Sequence, residues 1–221
     1  MANKIIILQK FIIFLCVLSL NACVTPSVQR PIDPIRKIDT FSRLTDYVST
    51  PFIGEPTPDN YSICHNNGCA EFAFISLNDQ QWTSIESIFL PIANGAIQER
   101  EQIKLAISLL EIYSGKQSGT YKDQAENSLT LGRKGQLDCI DEATNTTVYL
   151  RMLANAGLLK FHQQSSRTSR GGIIIPHNTA TIIDIQSQQR YAVDSWFEAN
   201  GELPHIVPLK IWKKGWKPEN D

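Results

Sequence analysis

With five cysteines and four histidines, this 221-residue chain has few places for nucleophilic chemistry. Cys139 stands out, in the run Gln136-Leu137-Asp138-Cys139-Ile140-Asp141-Glu142-Ala143. Asp138 is a good helix N-cap and Asp141, three residues on, can complete a reciprocal cap, so Cys139 is expected as the first helical residue. A helix start offers unpaired N–H groups and the positive end of the dipole, surroundings that favour a thiolate over a thiol. A thiol nucleophile also needs a base, and the base an orienting group. His177 is expected to begin one strand of a hairpin, with Asp194 on the returning strand in Tyr191-Ala192-Val193-Asp194-Ser195-Trp196. A turn centred near Ile185 to Ser187 sets the two side by side, whereas a later centre offsets them, so register decides.

In that arrangement Cys139 Sγ attacks an acyl carbonyl. His177 pairs with the thiolate and then protonates the leaving group, while Asp194 holds the second imidazole nitrogen. The Cys139 backbone N–H and the Gln136 side chain are the candidate oxyanion donors. Asp138, Asp141 and Glu142 work against a thiolate unless they are solvated or engaged in capping. The bland alternatives are a packed structural thiol at Cys139, a turn histidine after Pro176, and a capping role for Asp194. His162 is a spare base, expected near a helix end and exposed; His205, between Pro204 and Ile206, reads as loop.

These residues must be carried by a mixed scaffold. Ala70 to Leu77 alternates as a short strand, and Asn78-Asp79 opens a helix with Trp82, Ile85, Ile88 and Phe89 on one side. A longer helix is expected from Ala96 to Tyr113, ended by Gly115, with Ile97, Ile103, Ala106, Ile107 and Leu110 as its apolar stripe. The cysteine helix runs from Asp138 to Ala156, with Gly157 as its stop. Leu158 to Gln164 reads as a strand and Ser165 to Gly172 as a loop. Asn178 to Ile185 and Arg190 to Phe197 read as a hairpin, and Pro204 to Trp212 as an edge strand. Trp82, Trp196, Trp212 and Trp216 read as core or rim, with Trp196 near enough to Asp194 to wall a site.

The first residues address the chain. Lys4 and Lys10 precede the apolar run Phe11 to Leu18, which meets Leu20-Asn21-Ala22-Cys23, the pattern of an export signal over residues 1–22 and too short for a comfortable span. Leu20-Asn21-Ala22-Cys23 also resembles the bacterial lipobox. That resemblance implies lipidation of Cys23, and Val24 in place of aspartate implies outer-membrane sorting. Residues 23–50, with Pro26, Pro31 and Pro34, read as an acyl-anchored tether, and 51–221 as one domain at the cell envelope. In an oxidising compartment Cys64 and Cys69, five apart in Cys64-His65-Asn66-Asn67-Gly68-Cys69, are expected to pair as a disulfide. Cys139 is then left without a partner, and an unpaired exported cysteine is a liability unless buried or used. Cys64, His65 and Cys69 are also zinc-capable types, but no second ligand pair with metal spacing accompanies them. No metal or cofactor is expected.

Removing residues 1–22 takes away Lys4 and Lys10 and no acid, lowering the formal charge from −1 to −3. There is no basic stripe beyond the tail Lys210, Lys213, Lys214 and Lys217, so nucleic acid is not an expected partner.

The order cysteine, histidine, aspartate, with the cysteine at a helix start and the other two on successive strands, resembles the transglutaminase-like branch of the papain-like cysteine hydrolases. The resemblance covers Gln136 to Trp196. It implies an α+β fold and the nucleophile, base and orienter positions for Cys139, His177 and Asp194. It also implies acyl transfer or hydrolysis at an amide bond: peptidase, amidase, deamidase or cross-linking chemistry. Anchoring at the envelope makes peptidoglycan peptides or envelope proteins the expected substrates. Two departures bear on the substrate: Asp138 and Ile140 flank the cysteine where the family often has an aromatic residue, and Asn178-Thr179-Ala180 follows the histidine. The competing reading is a non-catalytic envelope lipoprotein that uses the same fold as a binding or assembly module.

Overall fold

The structure is a computed structural model that describes residues 54–127, 134–171 and 176–219. The export signal expected over 1–22, the expected lipidation site Cys23 and the tether expected over 23–50 lie outside the described residues.

The domain is α+β. The chain runs β1 (Tyr61–His65), β2 (Glu71–Ile75), α1 (Asp79–Ile88), α2 (Ala96–Ser118) and a 3-10 turn (Thr120–Lys122). It continues with α3 (Cys139–Asn155), β3 (His162–Arg170), β4 (His177–Asp184), β5 (Arg190–Asp194), β6 (His205–Pro208) and the short α4 (Leu209–Trp212). β1 and β2 form an antiparallel hairpin, and β3 to β6 form a four-stranded antiparallel sheet in sequence order.

Helix α3 lies between these two sheets, touching β1 on one side and β3, β4 and β5 on the other, with α2 packed along it. Its Val148, Tyr149, Leu150, Met152 and Leu153 join Ile103, Ala106, Ile107 and Leu110 of α2 and Ala180, Ile182 and Val193 of the sheet in one core. Full burial of each such aliphatic side chain contributes about 1.5–3 kcal/mol. α3 is therefore held over its length, and its first turn is fixed relative to both sheets.

Four elements depart from the sequence reading. Tyr61–His65 is a strand where the sequence reading places none; pairing with β2 and burial of Tyr61, Ile63 and Cys64 decide it. α2 passes through Gly115 and ends at Ser118, with Gly119 as a left-handed cap at φ 87°. Glycine is needed at 115 for closeness instead: a Cβ there would lie 2.7 Å from Asn200 Oδ1 and 3.0 Å from the Tyr121 nitrogen. β3 extends to Arg170 because it is a sheet edge whose polar side chains need no apolar alternation. At the C-terminus only His205–Pro208 is strand; α4 then turns Trp212 into the interior, where it is fully buried.

Candidate active site

The cap on α3 forms as its residue types demand. Asp138 Oδ1 accepts from the Ile140 and Asp141 N–H groups at 2.9 and 3.0 Å, and the Asp138 N–H donates back to Asp141 Oδ2 at 3.2 Å. Cys139 is the first residue of the helix, half-buried and unpaired. Among the described residues nothing accepts from its backbone N–H. Its Sγ lies 3.6 Å from the Pro176 carbonyl oxygen and 3.5 Å from Asn178 Nδ2.

The β4–β5 register pairs Ala180 with Val193 and Ile183 with Arg190. Carried on, it sets Asp194 across from Thr179, two residues along from His177 and on the same face. That diagonal offset is within reach: His177 Nε2 and Asp194 Oδ2 are 2.8 Å apart. Asp184 fixes the register by accepting from the Gln186 and Ser187 N–H groups in the turn. Burial alone pushes the His177 imidazole down, but hydrogen bonds to Asp194 and to Cys139, and the charges of both, outweigh it and raise its pKa to about 9. With Nε2 on Asp194, the nitrogen left to Cys139 is Nδ1. The structure thus brings Cys139, His177 and Asp194 together.

Aromatic side chains enclose this pair. The rings of Trp196, Phe197 and Trp212 stand 4.7, 5.3 and 5.4 Å from the His177 ring, centroid to centroid. Trp212 Nε1 also donates to Asp194 Oδ2 at 2.7 Å. Sequence reasoning placed Trp212 at the end of a strand and so missed this contact. The available signal was Pro208, which suits the entry to a helical turn more than a strand's continuation. Asn178, first seen as a departure after the histidine, is the second residue missed.

Gln136 does not reach the thiol in the way expected. Its Nε2 donates to the Lys122 carbonyl at 2.7 Å and its Oε1 accepts from the Gln124 N–H at 3.4 Å, bracing the segment after α2. His162 is buried on β3, where Nδ1 meets Glu99 Oε1 at 2.9 Å and Nε2 meets Arg100 Nη1 at 3.2 Å. It is a buried histidine at the other end of β4 from His177, not an exposed one. His205 begins β6 and pairs with Glu198 Oε1 at 2.7 Å.

The acids around Cys139 are engaged. Cys64 and Cys69 form a disulfide, and the turn it closes presents its N–H groups to α3. Asn67 N–H and Cys69 N–H donate to Asp141 at 2.8 and 2.6 Å, and Gly68 N–H donates to Asp138 Oδ2 at 2.8 Å. Burial and the Asp138 charge still raise the Asp141 carboxyl to about 7, against the pull of those donors. Glu142 points inward to Glu111 and Asp123, where burial raises Glu111 to about 8, Asp123 to about 7 and Glu142 well above the usual carboxylate range.

Among the described residues the one group of ligand types with metal-compatible spacing is Cys64, Cys69 and Asp141. The disulfide takes both sulfurs out of that ligand set, and His65 is not part of it. Among the described residues no helix is long and apolar enough to cross a membrane.

Comparison with protein-family models, with curated proteins and with solved structures found no match for the chain.

Proposed function

We propose that this domain is a thiol-dependent amide hydrolase or acyltransferase of the papain/transglutaminase-like type. By the lipobox resemblance it is held at the bacterial cell envelope by an acyl group on Cys23. The observation that carries the reading is the chain of contacts from Asp194 Oδ2 through the His177 imidazole to Cys139 at an open helix start.

The chemistry follows from those positions. His177 takes the proton of Cys139 Sγ on Nδ1, while Asp194 stabilises the imidazolium through Nε2. Sγ adds to the amide carbon. The developing oxyanion is met by the Cys139 backbone N–H and by Asn178 Nδ2, the side-chain donor that lies against the sulfur. His177 then returns its proton to the departing amine, leaving a thioester on Cys139. Water completes hydrolysis, and an acceptor amine completes transfer. The rings of Trp196, Phe197 and Trp212 keep water from the histidine–aspartate pair, which strengthens it. Envelope peptides, including those of peptidoglycan, are the proposed substrates, on location alone.

The test is the rate of Cys139 alkylation by iodoacetamide against pH, read at the Cys139 peptide by mass spectrometry, in the wild type and in His177→Ala. The expected result is a wild-type rate at pH 6.5 at least tenfold above that of the variant. Equal rates would leave the binding-module reading in place.

A further inference from the structure

We propose that the disulfide-closed turn Cys64–Cys69 is a positioning element for the Cys139 nucleophile, and that reducing this bond lowers the reactivity of the thiol. The proposal rests on the thiol-nucleophile reading above and adds its control.

The turn is an unusual piece of backbone. Asn66, Asn67, Gly68 and Cys69 are four successive residues at positive φ, 66°, 65°, 65° and 56°. Left-handed backbone is disfavoured for a non-glycine residue, and asparagine tolerates it far better than cysteine. Such a run needs outside restraint, and two restraints are present. One is covalent, the bond between Cys64 and Cys69. The other is the first turn of α3, whose Asp138 and Asp141 accept the three successive N–H groups of Asn67, Gly68 and Cys69.

Contacts on either side make the turn and the helix start one unit. Asn66 N–H donates to the Gln136 carbonyl at 3.1 Å, and Gly135 N–H donates to Asn66 Oδ1 at 3.1 Å, so the chain entering α3 is tied as well. Asn145, further along the same helix, makes paired bonds to the Cys64 backbone, accepting from its N–H at 2.7 Å and donating to its carbonyl at 2.9 Å. Residues 135 to 145 thus meet the turn on both sides of Cys139. The sulfur itself faces the other sheet, at Pro176, His177 and Asn178. The turn pushes on the back of the residue whose front must meet the base.

Reduction follows ordinary exchange chemistry. A dithiol attacks the Cys64–Cys69 bond and leaves as its own disulfide, delivering two electrons and two protons to give two thiols. The freed turn relaxes out of its left-handed run. Asp138 and Asp141 then lose three donors, the first turn of α3 loses its brace, and the chain entering α3 loses its restraint. Cys139 is then no longer held against Pro176, His177 and Asn178, and this loss of position slows it.

The experiment uses the purified full chain as oxidised wild type, as wild type treated with dithiothreitol and then reoxidised, and as the double variant Cys64→Ser/Cys69→Ser. Iodoacetamide modification is read at the Cys139 peptide against pH, His177 is titrated by NMR, and helix content is followed by circular dichroism. Expected are a fall of at least tenfold in the Cys139 rate at pH 6.5 with helix content retained, a downward move of the His177 titration from about 9, and recovery on reoxidation. A folded reduced protein or double variant with an unchanged Cys139 profile overturns the proposal. So does general loss of helix on reduction, because the bond would then hold the whole fold and not this turn. If oxidised wild-type Cys139 is itself no faster than a peptide thiol and is indifferent to His177→Ala, the nucleophile reading fails first, independently of the disulfide.

Discussion

Trp212 and His177 donate to the same oxygen: Asp194 Oδ2 receives Trp212 Nε1 at 2.7 Å and His177 Nε2 at 2.8 Å. Asp194 is almost fully buried, so these two donors supply what water would otherwise give its charge. A helix of four residues at the C-terminus, α4, therefore orients a carboxylate in the middle of the sheet.

Trp212→Phe keeps the ring and removes one donor. The expected cost is about 1–3 kcal/mol, the usual price of an unmade bond to a buried acceptor. Urea denaturation measures it, and an unchanged midpoint would show that the bond adds nothing. The alkylation rate of Cys139 is expected to fall too, because Asp194 loses one of the two groups that fix its carboxylate.

Asp194→Asn removes the main partner that raises His177. The imidazole titration is expected to drop from about 9 towards the ordinary histidine value of 6.5, as read by NMR. The stability effect has a definite sign. A raised histidine contributes stability that is full below about 6.5 and is lost as pH rises through about 9. In Asp194→Asn this leg of the stability curve flattens.

The buried acids act in the same direction. Glu111, Asp123 and Asp141 are raised to about 8, 7 and 7, with Glu142 well above its usual range. Each contributes stability that is full below its unfolded value of about 4 and is lost as pH climbs through the folded value. The domain is therefore expected to be more stable at pH 5 than at pH 8.5, by thermal denaturation. Glu142→Gln, which leaves no charge to bury beside Glu111, Asp123, Asp141 and Asp194, is expected to narrow that difference by stabilising the alkaline form.

Gly115→Ala tests a contact against a propensity. In an open helix interior this change stabilises by roughly 0.5–1 kcal/mol. Here the new methyl meets Asn200 Oδ1 at 2.7 Å and the Tyr121 backbone nitrogen at 3.0 Å. The expected result is a net loss of about 1–3 kcal/mol, as for other overpacked sites. A gain in the denaturation midpoint would mean that the 119–122 segment yields easily.

The parts of this molecule that were legible in the chain are those governed by neighbours in sequence. The reciprocal cap of Asp138 and Asp141 is a four-residue signal, and it places Cys139 where the structure has it. The Asn78 cap and the α1 stripe are equally local. What was not legible depends on distant partners. Tyr61–His65 becomes a strand through β2 and α3, and the polar β3 through β4 and α3. Gly115 looks like a stop until Asn200 is seen beside it. In the site, the order of Cys139, His177 and Asp194 could be read from the chain, but the diagonal register joining the last two could not. Nor could the sequence show that Trp212 returns to Asp194, that Asn178 faces the sulfur, or that Gln136 turns to Lys122. The engagement of Asp138 and Asp141 by the disulfide turn depends on the β1–β2 hairpin packing against the start of α3, a distant contact that neither segment signals by itself.

The four-stranded sheet has two outer strands, and each is a poor template for a second chain. β6 is only four residues long and ends on Pro208, which has no N–H to offer. β3 is nine residues long, but its pairing shifts between Ser165 and Thr168, and it carries Arg167 and Arg170. A bulge twists an edge away from a flat approach, and charge makes stacking against a copy of itself unfavourable. Crowded together on one surface, as acyl anchoring would leave them, neighbouring copies therefore meet sheet edges that resist joining into a common ribbon.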